Sequence, residues 1–526
     1  MLRIGEVFCL SIKWHLNKYN KLFRCCLLLI LLVISTLTVI GQIAQPARFE
    51  VEIPGGHDFE VVSAGEGGLL LFREKENTHK TGDQLWEIIK LDTALNALWK
   101  KEYFIPADLT LLGRYFENDQ LYLLFRSQNL SKRNLELFTL TASSGAVATT
   151  TIRNFIPFAL QSFKVLNNAS VLVGGYYNYR PLVILYDLEK NVPRVLPGLF
   201  NERSELIEIK INPDDTFDVI LKGRTLEKVM TLFISTFDSN GNLIKKIVLD
   251  TEKSKGLLFG RGQSLDGQAQ LIAGVYGKRY SEYSRGIFVA NINEYGEQQI
   301  KFYNYGELKN FFRYMKAKRE RRVLNRIERK KFKNKKLRFN YRLLVHELIK
   351  SDDQYILLGE AFYPKYRTVN SNSGLFNSVW TVNRGIYHSN LIFDGYRYTH
   401  AVILGFDKKG NLLWDNSFEI NDVISFELEQ FVQVDIERDK IVLLYVFDDA
   451  IRSKIIRGSE VLEGKEESKV RLTIETSEAL EAKTKIEGLE KWYGNVFFTY
   501  GVQNIKSTGT AIPAREVFFV NKVIYE

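Results

Sequence analysis

After Cys26 this chain of 526 residues contains no cysteine. The three it has are Cys9, Cys25 and Cys26. That distribution excludes a disulfide framework, a thiolate zinc site and a thiol nucleophile from everything downstream. Histidine is nearly as scarce. His15, His57, His79, His346, His388 and His400 include no two at metal-ligand spacing, and His346-Glu347 is half of a zinc-protease motif without its second histidine. A nucleophile elbow, a phosphate-cradling glycine loop and a dinucleotide fingerprint are also missing. Asp238, Asn240 and Asn242 open like a calcium loop, but the acid that should end the loop is replaced by Leu249, so a hairpin turn is the better reading. The sequence therefore offers no metal ligands, no cofactor site and no catalytic residues. A site assembled from several distant strands leaves no motif, so a missing motif lowers the case for catalysis without closing it.

Long apolar runs are confined to one place. Cys25 to Ile40 carries no charge and follows a flank with Arg3, Lys13, Lys18, Lys21 and Arg24. With Val39 and Gly41 at the −3 and −1 positions, it reads as a signal peptide cleaved near Gly41. The run falls short of the roughly 20 residues of a membrane span. Its long basic flank leaves an uncleaved signal anchor as the second reading and a buried helix as the third. Both export readings put the body across the membrane, as a periplasmic or outer-surface protein of a bacterial envelope.

What the chain has in quantity is a repeated turn. Gly67-Gly68, Asn118-Asp119, Asn167-Asn168, Asp214-Asp215, Asp266-Gly267, Asp352-Asp353, Arg438-Asp439 and Gly494-Asn495 each precede a short apolar run such as Leu121–Phe125 or Tyr355–Gly359. A second hairpin follows most of them, clearest in residues 231–249 and 401–418. Asp at its start accepts backbone hydrogen bonds, and Gly241 or Gly410 supplies a positive φ. Four antiparallel strands at a spacing near 50 residues predict an all-β fold, a β-propeller of four-stranded antiparallel blades. Eight blades fit best. Seven is the alternative, if residues 450–526 form one irregular blade. The last unit lacks an outer strand, which residues 47–53 could supply and so close the ring. Residues 42–526 then form one domain.

The stretch from Phe406 through Asp407, Gly410 and Asn411 to Trp414 resembles the aspartate–glycine–tryptophan hairpin of quinoprotein-type (PQQ-like) propeller repeats, and Asp92 with Trp99 echoes it. Exported eight-bladed members of that fold include quinone-dependent dehydrogenases and a non-catalytic outer-membrane assembly scaffold. The adjacent-cysteine pair of some such enzymes has its only counterpart here in Cys25-Cys26, inside the export signal. No quinone site carries over.

Charge is unevenly placed. The net +10 conceals fourteen Lys and Arg against Glu320 and Glu328 within residues 313–338. With +4 in residues 1–41 and +12 in this segment, the remainder sums to −6, a mildly acidic body with one basic arm. The arm lies in an insertion at 306–340, rich in helix formers, with Phe312, Met315, Val323, Leu324 and Ile327 as a thin apolar stripe. A second insertion at 364–398 reads as an aromatic loop. Alternation of strand direction puts both on one face. The candidate partner-binding residues are Arg319, Arg321, Arg322, Arg326, Arg329, Lys330, Lys331 and Lys333 on the arm, with Trp380, Tyr387 and Tyr396 in the loop. The bland alternatives are a solvated helix whose charges the acidic body answers, and aromatics that pin a long loop to its blade. The expected function is a non-catalytic binding or scaffold module contacting an anionic surface, an acidic protein or a glycan. Nucleic acid is not expected of an exported protein, and the membrane is a partner through the N-terminal segment if it stays uncleaved. The alternatives are a carbohydrate-active hydrolase or lyase with its site in the central channel, and an anionic-membrane or nucleic-acid binder using 313–338.

Overall fold

The computed structural model describes residues 43–525 except 54–57, 76–81, 129–133, 154–158, 200–203, 266–268, 369–390, 421–422, 448–449, 471–479 and 508–514. The N-terminal export segment lies outside the described residues.

Eight sheets form a ring, a β-propeller. Blade one runs Glu60–Ser63, Leu69–Lys75, Asp83–Leu91, Ala97–Pro106, and blade two Leu109–Glu117, Gln120–Ser127, Leu135–Thr141, Ala146–Ile152. Blade three is Ala159–Leu166, Ser170–Tyr177, Arg180–Asp187, Val192–Val195, and blade four Glu205–Ile211, Phe217–Arg224, Met230–Phe237, Leu243–Val248. Blade five is Lys255–Ser264, Gln270–Lys278, Ser284–Ile292, Gln298–Asn304, and blade six Arg342–Ser351, Gln354–Thr368, Leu391–Asp407, Leu412–Glu419. Blade seven is Gln433–Glu437, Lys440–Phe447, Ala450–Arg457, Glu460–Lys469. Blade eight has three strands from the end of the chain, Leu480–Tyr493, Val496–Ser507 and Arg515–Tyr525. Residues 450–469 and 480–525 thus belong to different blades, which removes the seven-bladed alternative. Within each blade the strands are called a to d in chain order. Strand a is innermost and meets the a strands of its neighbours.

The apolar runs are strand b of each blade, and their continuity has a simple cause. A strand points successive side chains to opposite faces, and here both faces are covered by neighbouring blades. Leu121, Leu123 and Phe125 pack toward blade one, while Tyr122 and Leu124 pack toward blade three. One buried apolar cluster fills each of the eight seams, the last between blades eight and one. Each fully buried Leu, Val or Phe in them contributes about 1.5–3 kcal/mol relative to exposure.

The repeated turns join strands a and b. Asn118 and Asp119 have φ of 44° and 62°, and Asn167 and Asn168 have 50° and 55°, the paired left-handed conformation of a tight hairpin. The c–d turns are aspartate-capped. Asp238 Oδ1 accepts from the backbone N–H of Asn240 (3.0 Å) and Asn242 (2.7 Å), and Asp407 does the same for Lys409 and Asn411. Gly241 and Gly410 provide the positive φ of 76° and 73°. The Asp238 segment is thus a hairpin turn.

The ring closes where the two ends of the body meet. Arg48–Glu52 pairs antiparallel with the last strand, from Arg48 opposite Asn521 to Glu52 opposite Val517, and Ile43–Ala44 extends the pairing. Arg48 is buried and donates to Glu50 Oε2 (2.9 Å), Asn521 Oδ1 (3.0 Å) and Gln503 Oε1 (2.6 Å).

Candidate functional site

Because strands alternate, the b–c and d–a connections leave one face of the ring and the a–b and c–d turns the other. Both long insertions leave the b–c face at blade six. The first joins strand d of blade five to strand a of blade six, and the second extends the b–c hairpin of blade six.

The first insertion is a helix on an aromatic foot. Helix α1 occupies Ala317–Phe332, shorter than the insertion, because the residues before it serve a different purpose. Tyr305, Leu308, Phe311 and Phe312 are buried in the seam between blades five and six. Asp415 of strand d in blade six holds this foot. Its carboxylate accepts from the N–H of Lys309 (3.0 Å) and Asn310 (2.6 Å), while Asn310 Nδ2 donates to the Asp415 carbonyl (2.7 Å). Burial raises the pKa of Asp415, and these hydrogen bonds oppose the rise. Tyr314 lies flat on His400 of blade six, centroids 3.6 Å apart, and Phe311 and Tyr341 meet the same imidazole edge-on. His400 is fully buried. Its Nδ1 meets Thr399 Oγ1 at 2.9 Å, and its Nε2 has no partner among the described residues. Burial pushes its pKa down to about 3, so the ring is neutral.

Only Ile327 of α1 is buried, with Val323 and Leu324 half-covered beside it. Phe312 and Met315 join the same cluster from the foot. The rest of the helix faces water. Arg319, Arg321, Arg322, Arg326, Arg329, Lys331 and Lys333 are exposed and Lys330 is half-buried. Arg322 and Arg329 donate to backbone carbonyls of their own helix. Among the described residues no ion pair joins a cation of 313–338 to a carboxylate of the body. The described part of the body therefore does not answer these charges by direct pairing.

The second insertion is not a loop where it is described. Strands b and c of blade six continue past the blade as a two-stranded ribbon, with Phe362 opposite Tyr398, Pro364 opposite Tyr396 and Tyr366 opposite Phe393. Tyr396 is half-buried and meets Phe362 (5.5 Å) and Phe393 (5.0 Å) edge-on, so it braces the ribbon. Trp380 and Tyr387 lie outside the described residues. Tyr363, Tyr366 (54% exposed) and Ile392 face outward, next to Phe426 (70% exposed) from the following segment.

The same face has a groove that the sequence reading did not anticipate. It has a volume of about 510 Å³ and runs over blades four to six, lined by Arg224, Arg279, Tyr280, Glu282, Tyr341 and Arg342 among others. Arg342 donates to Glu282 Oε2 (3.2 Å) and sits over the Tyr283 ring. The available signal was the segment 277–285 around the b–c turn of blade five, with two arginines, a lysine and two tyrosines in nine positions.

The axial channel is also charged. Inner strands of adjacent blades are tied by Glu60–Arg114, Glu208–Arg261 (3.1 Å) and Asp435–Lys491 (2.6 Å). Among the described residues no group of three or more His, Cys, Asp or Glu side chains could hold a metal ion.

No family model matches the chain, and no curated protein does. Solved structures that resemble it include β-propeller domains. They include the β-propeller domain of the Trilobed protease from Pyrococcus furiosus (10% identity, 78% of this chain and 93% of that one, TM-score 0.36). The polysaccharide lyase Uly1 matches at 8% identity over 78% of this chain and 89% of its own, TM-score 0.36. The Nup133 β-propeller domain of Vanderwaltozyma polyspora matches at 10% identity over 80% and 100%, TM-score 0.36. These likenesses are to propellers in general. The finer resemblance to quinoprotein repeats is not extended by them beyond the fold.

Proposed function

We propose that this protein is a non-catalytic binding module of the bacterial cell envelope that contacts an anionic partner through the b–c face of blades five and six. The observation that carries the reading is the set of mostly exposed cations of α1 that make no ion pair among the described residues, anchored by an aromatic foot in the largest of the seam clusters. An unneutralised cationic helix held rigidly against a scaffold is an electrostatic contact surface, attractive at low ionic strength and screened over about 8 Å at physiological salt. The basic groove and the aromatic ribbon adjoin it on the same face. Envelope location rests on reading residues 1–41 as an export signal.

The test is Arg319, Arg321, Arg322, Lys330 and Lys331 replaced together by Gln, with binding to phosphatidylglycerol vesicles followed against salt. Each cation near an anionic surface is worth about 1 kcal/mol, so the loss is expected to exceed about 100-fold at low salt, with a flatter salt dependence. Unchanged affinity and slope would remove the arm from the contact.

A second reading, a channel enzyme, is favoured by one feature. On the inner strand of blade eight, burial raises the pKa of Glu490, which accepts from Tyr500 OH at 3.0 Å, and burial together with Asp58 raises that of Glu487. A carboxyl whose pKa is raised by burial is shifted in the direction that general-acid chemistry needs. Cleavage of a neutral or acidic polysaccharide that is lost in Glu490→Gln would support it, and absence of cleavage across such substrates would retire it.

A further inference from the structure

The opposite face carries a built cavity. It lies between blades four and five, where the a strands reach their tight turns, and has a volume of about 380 Å³. Its wall is a buried polar network. Asp218 Oδ1 accepts from Thr236 Oγ1 (2.5 Å), and Oδ2 accepts from Asn212 Nδ2 (3.1 Å) and Gln270 Nε2 (2.9 Å). Asn212 Oδ1 in turn accepts from Ser264 Oγ (2.6 Å). One member is incomplete. Gln270 is 5% exposed, its side chain lines the cavity, and its carbonyl Oε1 has no hydrogen-bond partner among the described residues. Its amide orientation is fixed, since only the NH2 end can donate to Asp218. A buried acceptor left open costs about 1–3 kcal/mol, so a donor is required at this point.

We propose that this cavity is a binding site for a neutral, hydroxyl-bearing ligand of monosaccharide size. The charges around it are already engaged, Asp214 Oδ1 by Thr216 Oγ1 (2.7 Å) and Lys350 by a partner of its own. Lys210 Nζ donates to the Gly262 carbonyl (2.5 Å) and to Gln263 Oε1 (2.7 Å), and Lys245 Nζ donates to the Asn293 carbonyl (3.2 Å). The Asp218 carboxylate is taken by Thr236, Asn212 and Gln270. An anion would find its cations occupied, and a cation would compete with them, so neither charge sign is selected. What the wall offers is the open Gln270 carbonyl acceptor, the remaining lone pairs of the Thr216 and Thr236 hydroxyls, whose protons go to Asp214 and Asp218, and an apolar patch of Pro213, Ile244 and Leu265. Those are complementary to a ring with hydroxyls on its edge and C–H groups on one side. Among the described residues no aromatic ring lines the cavity, which argues against a flat base. The volume falls within the roughly 300–1,000 Å³ of small-molecule sites.

The probes are the methyl glycosides of glucose, galactose, mannose and N-acetylglucosamine, titrated into the full chain by saturation-transfer NMR and calorimetry up to about 50 mM, the weak end of measurable affinity. At least one is expected to bind saturably. Gln270→Met keeps the side-chain length but removes both the acceptor and the Nε2 donor to Asp218, and should weaken that binding about 10-fold or more. Ala269→Trp fills the cavity from a half-buried rim position without touching the network and should abolish it. It decides the matter if Gln270→Met fails to fold. No saturable binding by any glycoside, or binding that survives both changes, would overturn the proposal and leave the cavity as a site for ordered water only. The arm variant with five Gln substitutions should bind glycosides as the unaltered protein does, so this result and that of the vesicle test stand or fall separately.

Discussion

Acid should weaken this protein through His400. The imidazole sits beneath the foot of α1 with its pKa pushed down by burial from 6.5 to about 3. The groups facing it are Tyr314, Tyr341, Phe311 and Thr399. Burial pushes the pKa of both tyrosines upward, so none of these neighbours carries a charge that could receive the proton. A folded-state pKa below the unfolded value means that the unfolded chain binds more protons between the two. Stability then falls as pH drops below about 6.5 and continues to fall to about 3. From about pH 8 to about pH 5 the loss from this one group is about 2 kcal/mol, because at pH 5 the unfolded imidazole is almost fully charged and the folded one almost fully neutral. The figure barely changes if the folded value is 4 instead of 3, which makes pH 5 the right place to measure. His400→Phe keeps a ring against Tyr314 and loses only the bond to Thr399, so at pH 8 it should fold with stability within about 1.5 kcal/mol of the original. Urea unfolding of both proteins at the two pH values is the assay. The unaltered protein should lose about 2 kcal/mol more than His400→Phe between them. Equal losses would mean that His400 can take up a proton in the folded state, and the description of a sealed, neutral ring under the arm would be wrong.

Two further outcomes follow from buried groups. Arg48→Met should destabilise by about 2–6 kcal/mol, because it takes a charged donor from the side-chain carbonyls of Asn521 and Gln503 in the closing sheet at about 1–3 kcal/mol each, and a loss under about 1 kcal/mol in urea unfolding would show that the guanidinium is not what fastens the seam. Burial and, secondarily, Arg313 push the pKa of Lys454 down to about 8, while its Nζ donates to the Ser417 carbonyl (2.6 Å) and Asn416 Oδ1 (3.1 Å). The folded chain therefore sheds this proton before the unfolded chain does. Stability should rise with pH from about 8 toward the ordinary lysine value of about 10.4. Lys454→Met should rise less over that interval, and identical pH profiles would refute the assignment.

The ring was legible in the sequence because its signals are local. A left-handed Asn-Asp or Asn-Asn pair needs only its own side chains and backbone, and a strand covered on both faces reads as an unbroken apolar run. The closing strand was legible for a related reason, since blade eight visibly lacked a partner for residues 516–525. What escaped depends on residues far apart in the chain. Helix formers continue through 311–316, yet the helix starts at Ala317, because Phe311, Phe312 and Tyr314 are taken by blade six and Asp415 captures the two N–H groups before them. Tyr366, Phe393 and Tyr396 sit among polar residues and read as loop, but they pair across a ribbon whose two halves are separated by more than twenty residues. The groove and the cavity belong to seams between blades, and a seam has no signature in either blade alone.

The pairing of Arg48–Glu52 with Arg515–Tyr525 sets the order of events in assembly. The first strands of the body to be synthesised, Ile43–Ala44 and Arg48–Glu52, find their partner only in the last one, 473 positions away at Arg48 and Asn521. Until the final blade exists, the early segment has nowhere to dock, and the growing fan of blades presents an unpaired strand at its open border. Such borders recruit other chains. Long-range closure is also slow, because the loop must be ordered before its contacts form. The vulnerable stage of this protein's life is thus the interval between completing blade seven and locking the ring, and any factor that holds the body extended during that interval acts on this one join.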